Sequence, residues 1–241
     1  MSRTRLTACL TGATAAIAAA TSDASSHYWP ADLIKATTPL RQIAAGTTWL
    51  ATRLSEAAHQ ITDPTGQTTY PVHAQEAARY LPDPMGVVTE HCRQINAGWE
   101  SVAAHHTDTL AGYTPRHTWG GLTAPLDTAG SVLTHARSVA GSATSQQLWP
   151  IDWIRTTEQL RDSATYLSAL TGRLHEALAS GALTEPALSA RTATRTALRQ
   201  LRSHYRAVAG AWLDTFVHLD AIEATRKTLP QPDGGFPAIG M

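Results

Sequence analysis

The chain has 241 residues, 43% of them hydrophobic and 16% charged, with a formal net charge of zero. This composition excludes a disordered chain, and the charge balance excludes a global pull toward nucleic acid or an anionic membrane surface. Two cysteines, Cys9 and Cys92, exclude a disulfide framework and a cysteine zinc site, and no run approaches the ~18 apolar residues of a membrane span.

The first predicted helix covers residues 3–21. Arg3 and Arg5 ahead of Leu6–Ala20 have the outline of a secretory signal, but Thr7, Thr11, Gly12 and Thr14 dilute its apolar segment. The segment also precedes Trp29-Pro30 as Leu126–Ser145 precedes Trp149-Pro150. It reads as the first helix of a repeated unit, and the chain is expected in the cytoplasm. Basic residues are almost all arginine, with lysine only at Lys35 and Lys227, which together with abundant Ala and Thr is the usage of a high-GC bacterial genome.

The second helix opens on a motif that occurs twice. Trp29-Pro30-Ala31-Asp32 through Ala57 and Trp149-Pro150-Ile151-Asp152 through Ala177 align without a gap, with roughly 13 of 29 positions identical. Proline suits a first helical position, where its missing N–H has no partner to lose. Asp32 and Asp152 face the positive end of the helix dipole. Inside, Leu33, Thr37, Leu40, Ala44, Thr47, Ala51 and Leu54 recur at spacings of four and three. Trp153, Thr157, Leu160, Ala164, Leu167, Thr171, Leu174 and Leu178 repeat the pattern. Each series predicts one packing seam of mixed large and small residues. Pro39 is expected to bend the first copy.

A short helix at about 73–81 follows. The third long helix is predicted from near Pro84 to His106, with a seam of Val88, Cys92, Ile95, Trp99 and Val102. Gly112–Ala124 marks a unit boundary. The plan then repeats, with helices at about 125–145, 150–179 and 185–227; the last carries Leu198, Leu201, Tyr205, Val208, Trp212, Phe216 and Leu219. Ala97-Gly98-Trp99 and Gly210-Ala211-Trp212 look like counterparts, as do His105 and His218. The sequence therefore predicts an all-α fold built by tandem duplication of a three-helix unit. Residues 1–115 and 116–229 are the two units, and 230–241 is a loose tail.

Two surface features stand out. Arg191, Arg195, Arg199, Arg202 and Arg206 lie on the last helix within about 80° of one another. Such a stripe could follow phosphates or meet an acidic partner. It also flanks the apolar seam, so its stems can pack and its heads can pair with Glu158, Asp162 or Glu176. Trp49 is the second feature. It is opposite the predicted seam, near Arg53, where the other copy has Ala169. A tryptophan beside an arginine, not required by the fold, suits a protein interface.

No catalytic residue, cofactor or metal is expected. Glu56-Ala57-Ala58-His59 has the Glu-x-x-His spacing of carboxylate-bridged metal bundles, but the second copy reads Glu176-Ala177-Leu178-Ala179. Arg53 and Glu56, kept in both copies, read as a surface ion pair. The leading expectation is a non-enzymatic scaffold or adaptor that binds a protein partner or a second copy of itself. A nucleic-acid-binding protein using the arginine stripe is the alternative, and a small-ligand-binding or enzymatic bundle the third reading.

Overall fold

Proline marks where several of the helices begin. The computed structural model describes residues 3–22, 30–62, 81–105, 122–142, 150–178 and 185–228. Within them the chain forms six α-helices and no strand: α1 (Arg3–Ser22), α2 (Pro30–Thr62), α3 (Pro82–Ala104), α4 (Thr123–Ser142), α5 (Pro150–Ala177) and α6 (Glu185–Thr228). The chain is thus all-α. Pro30, Pro82 and Pro150 each occupy a first helical position. Pro39 sits inside an unbroken α2. The short helix expected at 73–81 and the tail from 230 lie outside the described residues.

The predicted seams point inward. On α5, Thr157, Leu160, Ala164, Leu167, Thr171, Leu174 and Leu178 are all buried. So are Val88, Cys92, Ile95, Trp99 and Val102 on α3, and Leu198, Leu201, Tyr205, Val208, Trp212 and Leu219 on α6. Both cysteines are free thiols; Cys92 is buried, which pushes its thiol up to about 12, and Cys9 is half-buried. However, α2 and α5 bury a second line that the single-stripe pattern did not foresee. Ala36, Ile43 and Leu50 are buried on α2, and Thr156, Ser163 and Leu170 on α5. The reason is their place in the bundle. α2 packs against α3 and α4 and touches α5; α5 packs against α6 and α1 and touches α2.

The pairings close into a circuit. α1 lies on α4, α4 on α2, α2 on α3, α3 on α6, α6 on α5, and α5 on α1. Exchanging α1 with α4, α2 with α5 and α3 with α6 leaves this set unchanged. α1 therefore packs mainly against helices far downstream rather than against α2, and one hydrophobic core draws on all of the helices. Small residues let them approach closely. A methyl group added at Gly46 would lie 3.0 Å from Leu133 Cβ on α4, and one at Gly98 2.7 Å from Leu201 Cδ2 on α6.

Many polar groups in these interfaces are satisfied within their own helix or across a helix pair. Thr21, Thr171 and Thr215 are buried and donate to the carbonyls of Ile17, Leu167 and Ala211 one turn back. A hydroxyl that bonds its own helix can face a neighbour without an unpaired donor. Across α1 and α5, Thr14 Oγ1 donates to the Gln159 carbonyl at 3.2 Å and lies 2.9 Å from Ser163 Oγ. Across α3 and α6, the buried Trp99 Nε1–H donates to Tyr205 Oη at 2.9 Å.

Tyr205→Phe keeps the core volume but leaves the Trp99 indole N–H without an acceptor. It is expected to cost about 1–3 kcal/mol of stability, read by urea denaturation. An unchanged midpoint would mean that this bond contributes nothing.

Candidate functional site

The first candidate is a groove where α2, α3 and α4 meet. Trp49 lies on α2 immediately before the inward-facing Leu50 and Ala51, so its ring rests half-buried on the edge of the core. Arg53, one turn further along the same helix, places its guanidinium carbon 5.5 Å from the ring centroid. Arg137, from α4, places its own at 5.9 Å. Both are within reach of the negative ring face. The walls are polar. Asn96 Nδ2 donates to Thr48 Oγ1 at 2.7 Å, and Arg41 on α2 bonds Glu100 on α3, with Nε to Oε1 at 2.9 Å. Arg53 Nη1 also meets Glu56 Oε2 at 2.7 Å, the surface pair read from the sequence. The groove has a volume of about 790 Å³ and is open to solvent. Its carboxylates Glu56 and Glu100 are each engaged by one arginine, whereas Arg137 has no ion-pair partner among the described residues. The groove thus offers an aromatic floor and one uncommitted positive charge.

The five arginines of α6 divide into different environments. α5 and α6 run antiparallel, with Ser168 Oγ donating to the Arg202 carbonyl at 3.3 Å and Arg191 lying against the end of α5. Arg191 is buried and donates from Nε to the Leu178 carbonyl. The last carbonyls of a helix lack internal donors and carry negative partial charge, so a guanidinium serves there as a cap. Arg195 and Arg202 are half-buried; Arg199 and Arg206 are exposed. None of these four has an ion-pair partner among the described residues. The expected acids do not reach them, and Asp162 bonds its neighbour Arg161 at 2.8 Å. Gly172 lets Arg202 lie against α5, since a methyl group there would be 3.0 Å from the guanidinium carbon. His175, one turn beyond Gly172, faces the same arginines. Burial, then Arg195 and Arg199, hold its imidazole below the ordinary histidine value. The side-chain atoms His175 Nε2, Arg195 Nε and Arg202 Nε are all buried without a hydrogen-bond partner.

A third cluster escaped the sequence reading. His91 on α3 and His204 on α6 meet with Nδ1 atoms 2.9 Å apart, rings tilted by 43°. At most one proton can occupy that contact. The available signal was the spacing, because His91 and His204 are separated like Trp99 and Trp212. Burial, then His91, lower the value of His204. Among the described residues, no three His, Cys, Asp or Glu side chains lie close enough to share a metal ion. Nor, among those residues, is any helix long and apolar enough to cross a membrane.

Residues kept in both sequence copies separate here. Arg41 spans to α3, whereas Arg161 stays beside Asp162. Arg53 covers Trp49, whereas Arg173 donates to the Thr21 carbonyl in the last turn of α1. Comparisons with protein families, with curated proteins and with solved structures return no match for this chain. Its function has to be read from its own surfaces.

The two lowered histidines give a pH dependence with a definite sign. Below pH ~6.5 the unfolded chain takes up protons that folded His175 and His204 resist, so the unfolded state gains. Stability is held above that pH and falls as pH drops through it. The thermal midpoint is expected to decline between about pH 7.5 and about pH 5.5, and less steeply for His204→Gln. Parallel curves for the two proteins would remove the histidine contact as a cause.

Proposed function

We propose that this protein is a non-enzymatic helical adaptor that docks a protein partner in the Trp49 groove. The observation that carries the reading is the placement of Trp49. Its ring is half-buried on the core edge, with Arg53 and Arg137 over it, and it stands where the other sequence copy has Ala169. Folding a closely related helix therefore needs no aromatic at that point. Large, rigid aromatic surface flanked by arginine is what concentrates binding energy at protein interfaces. The uncommitted Arg137 and the polar rim favour a partner segment with an apolar side chain next to an acidic one.

The reading includes an origin. The matching motifs at Trp29 and Trp149 support a duplicated ancestral unit, one copy of which kept or acquired the aromatic. A small-molecule ligand is the second reading. It is favoured by the groove volume of about 790 Å³, within the roughly 300–1,000 Å³ of small-ligand sites.

The test uses a photo-crosslinking residue in place of Thr52, inside the groove, in cells that make the protein. A discrete protein adduct is expected. Adding Trp49→Ala should reduce its yield about 30-fold, the loss of a hot spot of about 2 kcal/mol. The variant loses core-edge packing but should still unfold in one cooperative transition, read by its thermal midpoint. Equal adduct yields from the two proteins would overturn the proposal. An adduct with a second copy of the chain would make the partner a homo-oligomer.

A further inference from the structure

We propose that the α5–α6 face around His175, Arg195 and Arg202 is a binding site for a compact phosphate-class oxyanion. The argument is independent of the Trp49 groove and starts from unmet bonding capacity. A buried donor or charge without a partner is costly, and folded proteins rarely keep one without a use. Here three such nitrogens belong to one cluster: His175 Nε2, Arg195 Nε and Arg202 Nε. They sit on facing turns of two antiparallel helices; burial and then the charges of Arg195, Arg199 and Arg202 hold the His175 imidazole down, opposed by the exposed carboxylate of its neighbour Glu176. Among the described residues, no carboxylate pairs with any of these arginines.

The backbone accommodates the cluster. Gly172 leaves room for the Arg202 guanidinium against α5; the other copy has Thr52 in its place. A site of guanidinium groups and one imidazole matches a tetrahedral oxyanion, whose several oxygens accept forked N–H donors. The excess of arginine over the single carboxylate Glu176 disfavours a cation, and the rim is too charged for an apolar ligand.

A single anion fits better than a nucleic-acid backbone. A polymer track needs successive exposed heads, but Arg191 is buried and committed to the Leu178 carbonyl. Arg195 and Arg202 are half-buried, which leaves only Arg199 and Arg206 fully outward. The unpaired nitrogens are thus confined to the stretch of α6 from Arg195 to Arg202 and to His175 on α5 rather than spread along the helix.

The experiment is a thermal-shift and calorimetric titration of the full chain with inorganic phosphate, against sodium chloride at equal ionic strength. A phosphomonoester and a single-stranded oligonucleotide form parallel arms. Phosphate is expected to bind one to one and to raise the midpoint by about 3–5 °C at tenfold excess over Kd. If only the phosphomonoester does so, the anion is one carried on an organic molecule and the proposal stands. Arg195→Met with Arg202→Met should abolish the response while leaving the ligand-free midpoint unchanged or higher, because two uncompensated charges have gone. A purely structural role would lower that midpoint instead. Gly172→Ala keeps every donor but crowds the Arg202 head; it should weaken phosphate binding at least severalfold and serves as the test should the double variant fail to fold. Three results would overturn the proposal. One is a phosphate response no larger than that of chloride. Another is a response unchanged by the substitutions. The last is salt-sensitive oligonucleotide binding without binding of either small phosphate, which would return the face to a polyanion track.

Discussion

Close approach between helices is the constraint on which this bundle depends. α2 and α5 each contact several others, and a helix so placed has no room for a broad apolar stripe of leucines. It must bury two lines of side chains instead, and many of them are small: Ala36, Thr37, Ala44 and Ala51 on α2, and Thr156, Thr157, Ser163, Ala164 and Thr171 on α5. Threonine works there only because helix geometry returns its hydroxyl to a carbonyl in the previous turn, as Thr171 does with Leu167. Large side chains are buried as well, among them Trp99 on α3 and Tyr205 and Trp212 on α6, where Gly98 makes room for Leu201. Polar seam residues are thus a condition of the packing rather than a departure from it.

Much of this was legible in the sequence. Prolines and seams placed the helix starts closely, because a missing N–H and a 3.6-residue period act locally. The second buried lines on α2 and α5 were not legible, since a residue such as Ala36 or Ser163 reads as a solvent or boundary position until its neighbours are known. The order of helix pairing was invisible for a related reason: local patterning carries no information on which seam meets which. The candidate sites show the same division. Trp49 and Arg53 could be placed beside each other from helix phase, but Arg137 comes from α4, remote in sequence. The arginine stripe could be seen, but not that Arg191 turns inward to a helix end while Arg195 and Arg202 are half-buried with their Nε atoms shielded. His91 and His204 meet only because α3 and α6 pack together.

The two candidate sites are built on corresponding parts of the circuit. The Trp49 groove uses α2, α3 and α4, and the arginine cluster lies between α5 and α6. At matched positions of the two sequence copies, Trp49 faces Ala169, Thr52 faces Gly172, and Ser55 faces His175. One surface carries bulk and an aromatic ring, the other a gap filled by a guanidinium. Some buried positions beneath them are the same residue in both copies, such as Leu40 with Leu160 and Ala44 with Ala164, whereas others differ, such as Ile43 with Ser163.

The placement of α1 has a consequence for synthesis. Its contacts run to α4 and α5, and Thr14 reaches Ser163 at a sequence separation of 149. A nascent polypeptide emerging from the ribosome exposes α1 long before either docking surface exists. During that interval its apolar face, with Leu10, Ala13, Ile17 and Ala20, has nothing permanent to cover it. Closure waits until residue 177 of 241 has been made, so loop-closure entropy falls on a later step and the half-made protein is open to aggregation or chaperone capture. α1 is only weakly amphipathic and rich in alanine. That is a mild surface to leave waiting, and it suits a segment whose partners arrive well after it.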